Sequence, residues 1–194
     1  EPGVELRFRQ HADEGRSASL QILGSLHAIG NEDEQIIFSS EFAANRRVYT
    51  WPGVLIQSTD PDSTILDYCQ ITHARNGIYM SGNDFTRISH CTFQENWKSL
   101  FAEDSAKAII SENCFFPYSI ATNLEAINSD LDIEGNYIFD QNVPDTLHNA
   151  SGQFKFSGDN YRIRNNLFQG NGCGIRLQFS NAEVYQNVFK SGNI

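Results

Sequence analysis

The chain has 194 residues, 40% of them hydrophobic, which suits one domain or a modest repeat array with a buried core and excludes a disordered chain. A formal charge of −10 and a pI near 4.8 argue against nucleic-acid binding and against adsorption to anionic membranes, both of which need Lys/Arg patches to neutralise phosphate. With 12% aromatics and 14 Gly against a single Met, the composition favours strands and turns over helices, and no run reaches the roughly 18 apolar residues of a membrane-spanning helix.

The chain opens on "EPGVELRF" (1–8), with neither an initiator Met nor a charged-then-apolar leader, as expected of a mature product or an excised piece. "LQILGSLHAIG" (20–30) and "QIIFSS" (35–40) follow. "SSEFAANRRVYTWPG" (39–53) then places Arg46, Arg47, Tyr49 and Trp51 close together just before a strand-like stretch. Aromatic faces beside guanidinium forks can pack on sugar rings and grip their hydroxyls or carboxylates, so these four are candidate ligand-binding residues.

From here the chain repeats. "LDYCQI" (66–71), "ISHCTF" (88–93), "ISENCF" (110–115), "IEGNYI" (133–138), "IRNNLF" (163–168) and "VYQNVF" (184–189) share an aliphatic start, a Cys or Asn, and a final Ile or Phe. Their starts are 22, 22, 23, 30 and 21 residues apart. A second series begins with "GVLIQS" (53–58) and continues through "GIYMSG" (77–82), "SLFAED" (99–104), "NLEAIN" (123–128), "QFKFSG" (153–158) and "GIRLQF" (174–179), with apolar residues at alternate positions. Two short strands per period of about 22 residues leave no room for a helix, so the pattern predicts one turn of a strand coil per repeat.

Stacking such coils pairs each strand in parallel with its equivalent, about 4.8 Å away. Leu66, Ile88, Ile110, Ile133, Ile163 and Val184 then form one inward ladder. Alternation breaks just before the Cys/Asn position, which predicts a corner where Asn113, Asn136, Asn166 and Asn187 bond to one another and to turn backbone. Cys69 and Cys91 occupy the same position in the first two coils and are expected to be small buried thiols; adjacent parallel rungs aim both side chains the same way, poor geometry for a disulfide.

These I-x-x-N-x-I/F rungs, followed by strands starting "GI", resemble the right-handed parallel β-helix superfamily, the pectin-lyase-like fold, and within it the bacterial secreted β-helix repeat proteins. Residues 1–8, 20–30, 35–40 and 51–56 are similar to the lead-in many of those proteins carry. The resemblance implies an all-β, right-handed parallel β-helix with coils of about 22 residues, a single domain over 1–194, extracellular, cell-surface or periplasmic. Its members include pectate lyases, polygalacturonases, alginate epimerases, phage tailspikes and noncatalytic carbohydrate-binding proteins, so fold alone does not choose an activity.

Hydrolysis of the polygalacturonase kind would bring N-x-D, D-D, G-H-G and R-I-K motifs, of which "RIR" (162–164) is the sole echo. Elimination of the pectate-lyase kind needs Ca²⁺ held by carboxylates on neighbouring outer rungs, with Arg or Lys taking the proton. The outward residues of the second series are Tyr79, Phe101, Glu125, Lys155 and Arg176, with Glu103 in the adjacent column. Glu103, Glu125, Lys155 and Arg176 are therefore the candidate catalytic residues, while Tyr79 and Phe101 join the ligand-binding candidates.

His11, His27, His73, His90 and His148 fall at different repeat positions, and the four cysteines lack C-x-x-C spacing, so no metal centre is expected. The 30-residue interval carries an insertion around 140–153 with one glycosylation sequon at Asn149. Taken together, the expectation is a noncatalytic secreted or cell-surface module with a structural, adhesive or polysaccharide-binding role and no cofactor. The alternatives are a polysaccharide lyase or related carbohydrate-active enzyme, with Ca²⁺ for the lyase, and a segment or subunit of a larger extracellular assembly. The abrupt stop within a coil adds an expected end-to-end contact with another chain or with flanking coils.

Overall fold

The computed structural model describes residues 1–9, 18–41, 50–57, 63–82, 85–116, 122–139, 153–170 and 173–190, apart from the side chain of Asp159. All strand pairing among them is parallel, each strand of the interior coils lying between its equivalents in the preceding and following coils. No described residue is helical.

Each full coil carries three strands rather than the two expected. The first face stacks Glu5–Phe8, Ile36–Ser40, Cys69–Thr72, Thr92–Gln94, Cys114–Phe116, Tyr137–Phe139, Leu167–Gln169 and Val188–Lys190. The second stacks Leu20–Ile22, Val54–Ile56, Asn76–Ser81, Lys98–Glu103 and Thr122–Ile127. The third stacks His27–Ile29, Thr64–Asp67, Thr86–Ser89, Lys107–Ser111 and Asp130–Glu134. In the last two coils the second and third faces share the continuous strands Gln153–Arg164 and Gly174–Tyr185. The register shifts there at Gly158, whose φ of +94° suits glycine and where a Cβ would stand 2.1 Å from Asn128 Oδ1.

The third strand was hidden because the rung motif straddles a corner. In "LDYCQI", Leu66 and Asp67 end one strand, Tyr68 turns the chain, and Cys69 begins the next. The turning residues Tyr68, His90, Glu112, Gly135, Asn165 and Gln186 all take left-handed φ values, from 49° to 66°. A single residue in that conformation ends the alternation without a loop.

The predicted inward ladder runs in register. Leu66, Ile88, Ile110, Ile133, Ile163 and Val184 stack, the first five fully buried and Val184 41% exposed in the last described coil. The first face adds an inward column, Phe38, Ile71, Phe93, Phe115, Ile138, Phe168 and Phe189, in which Phe93 and Phe115 stack at 5.0 Å. Phe154, from the second face, meets Phe115 and Phe168 edge-on at 5.6 and 5.2 Å, tying the faces across the core.

At the corner, each amide bonds upward and backward. Asn113 N and Nδ2 donate to Asn136 Oδ1 at 3.0 Å, Asn136 N and Nδ2 to Asn166 Oδ1 at 2.9 Å, and Asn166 N and Nδ2 to Asn187 Oδ1 at 3.0 and 2.9 Å. The same Nδ2 groups reach backbone carbonyls of Ile88, Ile110 and Ile133. Asn136 and Asn166 meet in this way although 30 residues separate them, so the extra residues leave the stack undisturbed. Residues 140–152, with Asn149, lie outside the described set. Cys69 and Cys91 fill the corner in the two coils below as free thiols, and burial beside Cys69 pushes the Cys91 thiol well up.

Outside this corner, His90 joins three coils. Its ring stacks on Tyr68 at 4.5 Å, Nδ1 lies 2.8 Å from Asp67 Oδ1, and Nε2 lies 3.2 Å from Glu112 Oε2. The hydrogen bond to Asp67, with the charges of both carboxylates, raises its pKa above the ordinary 6.5. A raised histidine pKa stabilises the fold fully below about 6.5 and ceases to do so as pH rises through the folded-state value. Between pH 6 and 8, melting temperature should therefore fall more in wild type than in His90→Gln; equal pH slopes would remove His90 as the source.

Candidate functional site

The outward residues of the second face form a continuous column in register: Leu55, Tyr79, Phe101, Glu125, Lys155 and Arg176. Alternation along each strand turns these side chains out while Ile78, Leu100, Leu124 and Phe154 go to the core. Glu103 stands beside the column, two residues after Phe101.

The lower half of this column is internally satisfied. Tyr79 stacks on Phe101 at 5.4 Å, and its hydroxyl donates to Glu103 Oε1, which raises the Tyr79 pKa. Lys98, which turns outward three residues before Phe101, lies 4.2 Å from the centre of that ring and pairs with Glu125 Oε2 at 2.6 Å. Phe101 therefore has Tyr79 from the coil below and the Lys98 ammonium as ring neighbours, a cation–π arrangement. Stacked this way, the two rings are not an open platform for a sugar.

The upper half differs. Lys155 and Arg176 occupy successive rungs above Glu125, and neither has an ion pair or hydrogen bond with a described residue. Two cations in register on adjacent strands repel each other, a modest cost in water that an anion placed between them removes. An arginine fork beside a lysine is suited to carboxylate or sulfate. Glu103 and Glu125 each already hold a donor, Tyr79 and Lys98 respectively.

Residues available to a cation on this face are Glu103 and Glu125, one coil apart; among the described residues no three His, Cys, Asp or Glu side chains gather as a metal-binding group. The structure thus brings Tyr79, Phe101, Glu103 and Glu125 into one bonded group and places Lys155 and Arg176 next to it. Lys98, which organises that group, was overlooked in the sequence because an offset of three from Phe101 would put it on the inner face of a regular strand; the alternation breaks at Ser99 and Leu100, both buried, and that turns Lys98 out.

Trp51 requires correction as a ligand-binding residue. It is 1% exposed, stacks on Phe8 at 4.1 Å with rings 1° from parallel, and donates from Nε1 to the Thr72 carbonyl at 2.8 Å. Its bulk seals the gap between the lead-in strand and the first coils, so its ring has no face for a ligand. Arg46, Arg47 and Tyr49 lie outside the described residues.

On the third face, Arg164 pairs with Glu134 at 2.6 Å and Arg162 lies between Asp132 at 3.3 Å and Glu183 at 3.4 Å. Beside these groups runs a groove of about 920 Å³. Sequence reasoning did not reach it, since the third strand of each coil had been merged with the first.

Comparison with protein families finds that the model for the right-handed beta helix region matches residues 29–191, most of the chain. No curated protein and no solved structure matches.

Proposed function

The chain belongs to the right-handed β-helix family, and from that premise we propose that it is a noncatalytic secreted or cell-surface module that binds acidic polysaccharide on its second face. The observation carrying this reading is that Lys155 and Arg176, on adjacent rungs of a chain with net charge −10, have no partner among the described residues. In so acidic a protein, cations left without carboxylate partners are positioned for an external anion. A polymer lying along the solenoid axis would meet both, because the coil spacing of about 4.8 Å lets one extended chain cross successive rungs. Such polymers are extracellular, which is the basis for the secreted or surface location.

Binding without turnover is favoured because Glu103 and Glu125 are held by Tyr79 and Lys98 and are not free to act as an acid–base pair. Calorimetry with oligogalacturonate should show binding that weakens with salt and falls about tenfold or more in Lys155→Ala/Arg176→Ala. Ultraviolet absorbance should show no unsaturated uronate accumulating. Steady product that disappears in Lys155→Ala or Arg176→Ala would replace this reading with a lyase.

A further inference from the structure

The groove on the third face follows from strand geometry. Residues two apart on a strand point outward together, roughly 6.6 Å apart, and the residue between them turns in, leaving a trough over its backbone. In-register stacking joins these troughs into one channel along the axis. Here the inward residues Ala108, Leu131, Tyr161 and Ala182 give the floor. One wall begins at Lys107 and Asp130 and continues through Asn160 and Asn181. Opposite stand Ile109, Asp132, Arg162 and Glu183, so each wall crosses four coils, roughly 14 Å. Phe85 lines the same channel from the coil below.

Two polar atoms in this channel lack partners. Asp132 Oδ1 and Ser180 Oγ are both shielded and have no hydrogen bond among the described residues, and both residues line the groove. Asp132 Oδ2 is engaged, at 3.3 Å from Arg162 and 3.6 Å from Arg164. Shielded polar atoms without partners are uncommon in native folds and point to a donor or acceptor supplied from outside.

From this arrangement we infer that the third-face groove is a second glycan site, taking an uncharged, hydroxyl-rich linear polysaccharide along the axis. Charge excludes an acidic chain: Asp130, Asp132 and Glu183 outnumber Lys107 and Arg162, three to two. An extended peptide is disfavoured along the axis because the floor strands Lys107–Ser111, Asp130–Glu134 and Gln153–Arg164 pair on both sides, and the strand with a single described partner, Gly174–Tyr185, closes one end of the groove rather than running along it. Sugar hydroxyls fit what remains. They donate to Asp132 Oδ1 and to the Asp130 carboxylate, share a proton with Ser180 Oγ, and accept from Arg162 and Asn181. The Phe85 ring gives an apolar surface for a sugar face at one end. This site differs from the Lys155/Arg176 face in position and in charge preference.

The test is calorimetric titration of the whole chain with cellohexaose, xylohexaose, mannohexaose and hexagalacturonate. At least one neutral hexasaccharide should bind, with affinity about tenfold lower in Asp132→Asn, which keeps the shape but exchanges an acceptor for a donor. Binding should be abolished in Ile109→Trp, which fills the groove from an outward position, and unchanged in Lys155→Ala/Arg176→Ala. Should Ile109→Trp fail to melt cooperatively by circular dichroism, Asn181→Trp blocks the channel from the other wall. Failure of all neutral hexasaccharides at millimolar concentration overturns the inference, as does neutral binding that survives the blocking variant. Failure of hexagalacturonate alone counts only against the second-face reading.

Discussion

Replacing Asn136 by Ala is expected to destabilise the fold by about 2–4 kcal/mol, since it strands several buried groups at once. Asn136 is 1% exposed; its Oδ1 accepts from Asn113 N and Nδ2, and its Nδ2 donates to the carbonyls of Ile110 and Glu134 and to Asn166 Oδ1. Alanine leaves the Asn113 backbone N–H without its acceptor in the interior of the corner, where water does not replace it. Asn136→Asp sharpens the test: it keeps shape and acceptor, loses both amide donors, and puts a charge against three oxygens. At pH 7 it should destabilise at least as much as alanine, and the deficit relative to wild type should shrink as acid protonates the new carboxyl. Urea unfolding followed by circular dichroism reads both; an Asn136→Ala midpoint equal to wild type would reduce the amide column to decoration.

Phe154→Ala should be as severe or worse, about 3–5 kcal/mol. Phe154 is fully buried and meets Phe115, Phe168 and Phe156 at 5.6, 5.2 and 6.3 Å, all edge-on. The four rings come two from each of two faces, so the cavity would open between stacks held in place by their ladders and unable to collapse independently. Phe154→Leu retains most of the volume and should cost about 1.5 kcal/mol or less. Because neighbouring coils supply much of a solenoid's stability, the alanine variant should also broaden the unfolding transition. A midpoint and slope matching Phe154→Leu would show that the cavity left by alanine carries no weight.

Much of the fold was legible because a parallel coil repeats its side-chain environment every turn. An inward aliphatic at 66, 88, 110, 133, 163 and 184, and a Cys or Asn three residues later, stand at the same place in successive coils; that is why simple spacing found the ladder and the corner. The column Tyr79, Phe101, Glu125, Lys155 and Arg176 was readable on the same ground. The strand count was not, because one left-handed residue such as Tyr68 or His90 turns the chain without the Gly/Pro cluster that usually marks a turn. Trp51 was misplaced for a different reason: its bond to Thr72 spans one coil, but the ring it stacks on, Phe8, belongs to the lead-in, where the rung motif has not yet begun.

By itself, then, the sequence determined the repeat, the parallel coil, which side chains face in, and which outward residues share a column, since all of these follow from periodicity and from the two-residue alternation of a strand. Only the tertiary structure decided which outward groups are already spent on one another. Glu103 goes to Tyr79, Glu125 to Lys98 across Phe101, and Trp51 to the core, while Lys155, Arg176 and the shielded Asp132 Oδ1 remain without described partners. Column membership is a matter of register, but pairing depends on side-chain reach and direction between coils, and those distances are created only when the coils stack.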